Sequence, residues 1–185
     1  MNNDNCSKDQ LTPYMSLADK TGVFTRLDLE TLHDVLREVF QSKTEDYIIR
    51  EEYYEGSLTG YIIFGKLEWT ENTYEIYWII VDPYCWKKNI GTKLVMHAES
   101  YILNKEQNGF IIAETSLTEK FDSARAFYQK LGFTQVGQIP HYYGKDDGMA
   151  IFHKPLIKGP VPDPIPQSPV PAIPRPDTIF PHPTI

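Results

Sequence analysis

The order of apolar patterns along the chain predicts a mixed α/β fold of the α+β kind, in which a mostly antiparallel, twisted sheet of six to seven strands is flanked by about four helices. Two observations predict the sheet. Extended runs rich in Tyr and Ile follow one another near the middle of the chain, and a strand, a helix and a second strand then follow in order. Because a strand-helix-strand order implies a crossover connection, two central strands should be parallel.

The first half of the chain predicts one helix and three strands. Apolar residues recur at spacings of three and four over residues 28–41, which predicts an amphipathic helix with Asp28 as its N-cap. Extended runs at 47–54, 60–67 and 74–81 are separated by turn-like segments. These runs predict an antiparallel meander.

The second half predicts the crossover and the closing strands. A helix is expected over 91–104 and a short apolar strand over 110–114. A further helix over 122–131 should end at Gly132, because glycine favours the left-handed conformation that closes many helices. Residues 133–138 and 149–153 then predict the last two strands.

A change of composition marks the end of the folded part. Ten of the 14 prolines lie between Pro160 and Pro183, and proline favours extended backbone without donating a hydrogen bond. We therefore divide the chain into an N-terminal segment (1–22), one domain (23–158) and a Pro-rich tail (159–185). The tail is expected to be extended or disordered, or else to dock on a partner or a neighbouring subunit through Ile173, Ile179, Phe180 and Ile185.

Charge and cysteine content restrict the class of protein. A net charge of -7 and the absence of any run of Lys or Arg argue against nucleic-acid binding and favour a cationic or amine substrate. Two cysteines form no disulfide framework, the N-terminus lacks signal-peptide features, and no apolar run could span a bilayer. We expect a cytoplasmic protein that does not enter membranes.

The segment after the third predicted strand has the chemistry of a phosphate-binding loop. It runs through Lys87, Lys88 and Asn89 to Gly91 at the start of a helix. Helix N-termini present unpaired N–H groups and a partial positive charge, so this loop could bind a pyrophosphate without a metal. An ordinary surface loop is the alternative interpretation of so short a pattern.

The sequence WKKNIGTKL in this loop resembles the acyl-CoA motif of the GNAT acetyltransferases, Gln/Arg-x-x-Gly-x-Gly/Ala. Trp86 replaces the usual Gln or Arg and Asn89 the first Gly, whereas Gly91 keeps the second. The resemblance implies acetyl-CoA as co-substrate and a splayed central parallel pair whose backbone receives the pantetheine arm. The cofactor residues that it implies are Ile79, Ile80, Val81, Lys87, Lys88, Asn89, Ile90, Gly91 and Thr92.

A second segment, ETSLTEKFDSARAFYQKLGF, resembles the other GNAT signature and follows in the expected order. The resemblance implies that Tyr128 is the general acid that protonates the departing thiolate. The alternative is a packed ring whose hydroxyl reaches water. The last stretch, QIPHYYGKDDGMAIFHKPL, is also similar to the end of bacterial and archaeal GNAT domains, so that the resemblance covers about 23–156.

Acetyl transfer to an amine also needs a base, because alkyl amines are protonated near pH 7. Glu75 is the first candidate and Glu114 the alternative, with a solvent-facing strand position as the alternative role of Glu75. Asp146 and Asp147 could attract a cationic acceptor or simply form a turn.

No metal is expected. His97 and His141 lie apart from one another, and no set of His, Cys and carboxylate residues has metal-ligand spacing. Cys85 has no apparent His partner, so direct transfer is favoured over a thioester intermediate on the protein.

The predicted function is acetyl transfer from acetyl-CoA to a primary amine of a small molecule or a peptide. The alternatives are a GNAT-like module that binds acyl-CoA with little turnover, and an interaction protein that acts through its tail. The acceptor amine and the oligomeric state stay open, with a homodimer as one arrangement.

Overall fold

The computed structural model of the protein describes residues 8–41 and 46–158. The helices are α1 (Lys8–Lys20), α2 (Arg26–Gln41), α3 (Ile90–Lys105) and α4 (Asp122–Lys130). The strands are β1 (Ile48–Tyr54), β2 (Ser57–Lys66), β3 (Thr73–Val81), β4 (Asn108–Ser116), β5 (Thr134–Gly144) and β6 (Asp147–Ile157). Short 3-10 turns precede α3 and α4.

The six strands form one mixed sheet in the order β1-β2-β3-β4-β6-β5. Among the described strands only β3 and β4 pair in parallel, and α3 connects them as a crossover. The predicted fold class is confirmed, including the antiparallel meander of β1, β2 and β3. The last two strands are each longer than their apolar centres indicated, because their ends form an exposed hairpin.

One core cluster lies between the sheet and helices α3 and α4. Leu94, Val95, Ala98 and Ile102 of α3 are at most 1% exposed, as their helical spacing predicts. They pack with alternate residues of the strands, among them Ile76 of β3 and Ala113 of β4. The same alternation directs Glu75 and Glu114 to the opposite face of the sheet.

A second core cluster lies on that opposite face, beneath α1 and α2. Leu32 and Leu36 of α2 and Ala18 of α1 are fully buried there against β2 and β3. The sequence analysis predicted α2 but no helix before it, because Pro13 and the polar start of the chain obscure the spacing of Leu11, Tyr14 and Leu17. The segment 1–22 thus contains a helix that helps to close the core.

Helices α1 and α2 pack on β1, β2 and β3 on this face, and they cover β3 as far as Ile80. No helix in the described part of the chain is long and apolar enough to cross a membrane. Cys6 and the Pro-rich tail (159–185), with its four apolar anchors, lie outside the described residues.

Candidate active site

The parallel strands β3 and β4 pair over only four positions, from Thr73 with Phe110 to Ile76 with Ala113. Beyond this point β3 continues to Val81 and β4 to Ser116 without pairing to each other. A bulge in β3 opposite Ile63 and Phe64 lies at the point of separation. The sheet therefore opens at its centre, as the resemblance predicted.

The open edge of β3 presents backbone groups to this gap. Asp82 donates its N–H to the Thr59 carbonyl of β2 at 2.9 Å. Hydrogen-bonded and non-hydrogen-bonded pairs alternate along antiparallel strands, so the backbone N–H and carbonyl of the neighbouring Val81 point away from β2. By the same alternation the backbone of Ile79 also faces the gap, whereas that of Ile80 faces β2. The Ile80 side chain is 1% exposed and packs beneath α1 and α2.

The loop between β3 and α3 contains two residues in the left-handed region, Lys87 at φ 64° and Asn89 at φ 62°. Asn89 is one of the few residue types that tolerate this conformation, but Lys87 is strained there by about 1 kcal/mol. The residue type indicates this conformation for Asn89 but gives no such indication for Lys87. A turn can present backbone N–H groups that bind anions; within this loop the Lys88 N–H already donates to the Cys85 carbonyl at 3.2 Å.

Helix α3 begins at Ile90, and the Asn89 side chain makes no capping hydrogen bond. The first N–H groups of the helix, including those of Gly91 and Thr92, therefore need a partner other than this side chain. Gly91 packs tightly, since a Cβ there would lie 3.1 Å from the Phe127 ring and 3.7 Å from Val81. Ile90 is buried in the core and contributes to the loop through its backbone.

The two lysines of the loop are exposed, and Lys88 lies over the ring of Tyr54 at 5.9 Å. Trp86, which replaces the usual Gln or Arg, donates its indole N–H to the Val81 carbonyl at 3.0 Å. No sequence pattern predicts this contact, because it joins the loop to the preceding strand through a side chain.

Glu75 and Glu114 lie near each other on the face opposite α3. Burial, followed by the negative charge of Glu114, raises the pKa of Glu75 to about 7. Burial also raises the pKa of Glu114. Gly65 is the β2 partner of Glu75, and a Cβ there would collide with the backbone carbonyl of Asp46.

Three tyrosines surround this carboxylate pair. Tyr47 and Tyr77 contact each other edge to face with ring centroids 5.3 Å apart, and burial followed by the charge of Glu75 raises the pKa of Tyr77 to about 12. Tyr143 comes from the β5–β6 hairpin; although half of its side chain is exposed, burial of the remainder and the charge of Glu114 raise its pKa to about 12. The sequence analysis assigned no role to these tyrosines, because they meet only across strands.

Asp147 belongs to a hydrogen-bond network at the end of β4. The Ser116 hydroxyl donates to its Oδ1 at 2.6 Å, and Arg125 of α4 donates to the carbonyls of Ser116 and Thr118. This network ties the β5–β6 hairpin to α4. Asp146 is exposed in the same turn.

Tyr128 lies on the α3 side of the sheet, with its ring between those of Phe127, Phe133 and Phe152. The residue is 4% exposed, and no hydrogen bond of its hydroxyl to another described residue is found. Burial raises the pKa of Tyr128, so the hydroxyl holds its proton at neutral pH. The assignment of Tyr128 as the general acid stays a prediction.

The remaining sequence candidates lie elsewhere. His97 pairs with Glu52 at 2.8 Å on the surface of α3, and His141 is exposed in β5. Cys85 is a buried free thiol in the turn before α3. No group of three or more metal-binding side chains is found within residues 8–41 and 46–158.

Solved structures share this fold. A crystal structure described as a GNAT-family acetyltransferase from Desulfovibrio desulfuricans is 23% identical with a TM-score of 0.74, covering 80% of this chain and 94% of that one. The ribosomal-protein-S18-alanine N-acetyltransferase of Escherichia coli is 16% identical with a TM-score of 0.64 over 83% and 92%. An aminoglycoside 6'-N-acetyltransferase complexed with coenzyme A is 17% identical with a TM-score of 0.64 over 85% and 97%.

No curated protein matches the chain by sequence. The family model described as the acetyltransferase (GNAT) family matches residues 15–133, which is more than half of the chain. This range contains the splayed strand pair, the loop before α3 and helix α4. The chain therefore belongs to the GNAT acetyltransferase family.

Proposed function

We propose that the protein transfers the acetyl group of acetyl-CoA directly to a primary amine. The observation that carries the proposal is the gap between β3 and β4, where the backbone of Ile79 and Val81 pairs with no strand beside the uncapped N-terminus of α3. An extended amide-containing arm can pair with such a strand edge. The loop from Lys87 to Thr92 would then hold the pyrophosphate.

Two ionisable side chains would divide the proton transfers between them. The amine nitrogen attacks the acetyl carbonyl carbon, a C–N bond forms and the C–S bond breaks. Glu75 would take the proton from the amine, directly or through water, and its raised pKa suits a base that works near neutral pH. Tyr128 would give its proton to the departing thiolate, and the N–H of Val81 would polarise the carbonyl.

The surroundings of Glu75 support a cationic acceptor. Glu114 lies beside it, and Tyr47, Tyr77 and Tyr143 present rings that can contact an ammonium group. Similar structures include enzymes named for a ribosomal-protein alanine and for aminoglycosides, so both small-molecule and peptide amines belong in the first panel. We propose a cytoplasmic location, which the buried free thiol of Cys85 supports.

Calorimetric titration of the full chain with acetyl-CoA tests the proposal, with coenzyme A and dephospho-coenzyme A as controls. We expect micromolar binding, followed by release of free thiol when a suitable amine is added. Absence of binding at millimolar acetyl-CoA would contradict the proposal.

A second candidate function is acyl-CoA binding without efficient turnover. Trp86, Lys87 and Asn89 favour it, because they place a bulky ring and two left-handed residues other than glycine in the loop. Tight binding without thiol release across the amine panel would favour this second candidate.

A further inference from the structure

Trp86 lies at the opening of the gap between β3 and β4. Its indole N–H donates to the Val81 carbonyl at 3.0 Å, and 53% of the side chain is exposed. The contact closes a loop of five residues back onto the strand that precedes it. Ile79 and Val81 are the two residues whose backbone faces the gap, and the Trp86 side chain thus contacts the carbonyl of one of them, Val81.

The acceptor of this hydrogen bond belongs to the working edge of β3. Because Asp82 pairs with Thr59 of β2, the Val81 carbonyl points away from β2 and into the gap. The Val81 side chain lies 3.7 Å from the position of a Cβ on Gly91, so this carbonyl lies next to the start of α3. An arm that extends from a pyrophosphate at α3 into the gap must pass this point.

The arm of acetyl-CoA carries two amide groups, which can donate to strand carbonyls and accept from strand N–H groups. Its amide N–H and the Trp86 indole N–H would compete for the same Val81 carbonyl oxygen. The indole ring also takes up space along the path of the arm. The Val81 oxygen has two lone pairs, so the exchange requires that the indole N–H occupies the position on the gap side of this oxygen that the amide N–H would need.

We propose that Trp86 covers the Val81 carbonyl in the free protein and gives it up to the pantetheine amide when acetyl-CoA binds. This inference rests on the proposed function, since it names a residue of the same cofactor site. Trp86 thereby lowers the apparent affinity for acyl-CoA. When acyl-CoA is absent, Trp86 keeps the Val81 carbonyl hydrogen-bonded. The loop lysines act on the pyrophosphate end and are independent of this exchange.

Trp86→Phe is the sharpest test, because it removes the N–H donor and keeps an aromatic ring. Without the competing hydrogen bond, acetyl-CoA should bind about fivefold more tightly, as expected for a net hydrogen bond of ordinary strength. Adenosine 3'-phosphate 5'-diphosphate has the pyrophosphate but no pantetheine arm, so its affinity should not change.

Tryptophan fluorescence gives a second readout in the full-length protein. The exchange changes the surroundings of the Trp86 indole, so acetyl-CoA should change the emission and the truncated nucleotide should not. Trp69→Phe is the matched control, since Trp69 is 82% exposed in the turn between β2 and β3. The response should persist in Trp69→Phe and disappear in Trp86→Phe.

Three results would overturn the inference while the proposed function survives. They are weaker acetyl-CoA binding by Trp86→Phe, an equal change for both ligands, and an emission response that does not depend on Trp86. Equal thermal unfolding temperatures of the variants would confirm that the comparison concerns folded protein. If no variant, including the wild type, binds acetyl-CoA at millimolar concentration, the proposed function itself fails.

Discussion

The two ends of the candidate site differ in what they offer to a ligand: backbone groups at one end and side chains at the other. At the cofactor end, the left-handed residues Lys87 and Asn89 and the uncapped start of α3 offer backbone N–H groups. At the acceptor end, Glu75 and Glu114 offer side chains whose pKa values are raised by burial. A backbone site tolerates changes of side chain but not of backbone geometry, whereas a buried carboxylate depends on its own identity.

The largest effect is expected where the backbone must approach closely. Gly91→Glu places a side chain against Phe127 and a negative charge at the start of α3, where phosphates would bind. We expect acetyl-CoA affinity to fall at least a hundredfold in calorimetric titration. Met96→Glu, at an exposed position of the same helix, should bind as the wild type does. Equal affinities for the two variants would contradict the role of the loop.

The next largest effect concerns the base. Glu75→Gln should lower kcat about a hundredfold, as removal of a general base commonly does. In the wild type, kcat should rise with pH through about 7, because Glu75 accepts a proton only when it is ionised. Measurement of kcat against pH should show this dependence disappear in Glu75→Gln. The exposed Glu71 supplies the control Glu71→Gln, whose profile should be that of the wild type.

The same substitution should also change the pH dependence of stability. Burial raises the pKa of Glu75 from about 4.3 in an unfolded chain to about 7, so the folded state binds the proton more tightly. Ionisation therefore destabilises the fold as the pH rises from about 4.3 through 7. Denaturant unfolding at pH 5 and pH 8 should show Glu75→Gln gaining roughly 2 to 3 kcal/mol over wild type between the two.

A smaller effect is expected for the acid. Tyr128→Phe should lower kcat about tenfold while leaving the affinity for acetyl-CoA unchanged, because the ring packing stays and only the proton donor is lost. Steady-state kinetics with a saturating amine would measure this. Tyr84→Phe, at a side chain that is 80% exposed, is the control. An unchanged kcat in Tyr128→Phe would contradict this role of Tyr128 and would indicate that water protonates the thiolate.

The smallest effect tests the backbone interpretation of the loop. Lys87→Gly should relieve the left-handed strain and stabilise the protein by about 0.5 kcal/mol, whereas Lys87→Ala keeps the strain and loses the same charge. Denaturant unfolding separates the two variants. If both bind acetyl-CoA equally, the conformation of residue 87 affects stability but not the cofactor; if Lys87→Ala alone is weaker, the geometry of the loop decides binding.

Much of the fold could be predicted because it depends on the local periodicity of apolar residues. The spacing in α2 and α3 and the alternation in the strands predicted helices and strands near the observed positions, and the strand-helix-strand order predicted the parallel pair. Helix α1 was missed because Pro13 interrupts its pattern. Its burial is a tertiary effect, since Tyr14, Leu17 and Ala18 become core residues only against the sheet.

The candidate site was predictable in part. Gly91, Asn89 and Glu75 were identified because glycine, a left-handed asparagine and a strand carboxylate each have a local chemical meaning. The left-handed conformation of Lys87 was not identified, because lysine gives no signal for it. Tyr143 was missed because its ring reaches the carboxylates from β5, far away in the sequence, whereas Tyr77 lies two residues from Glu75 on β3 and could have been found from the alternation of the strand.

The sequence by itself determined the class of fold, the order of the elements after α1 and the position of the candidate cofactor loop, because these depend on residues adjacent in the chain. Only the tertiary structure decided that β3 and β4 separate after Ile76, that Glu75 is buried beside Glu114, and that Trp86 covers the Val81 carbonyl. These features depend on pairing, burial and side-chain contacts between elements. Such interactions arise only when the chain is packed.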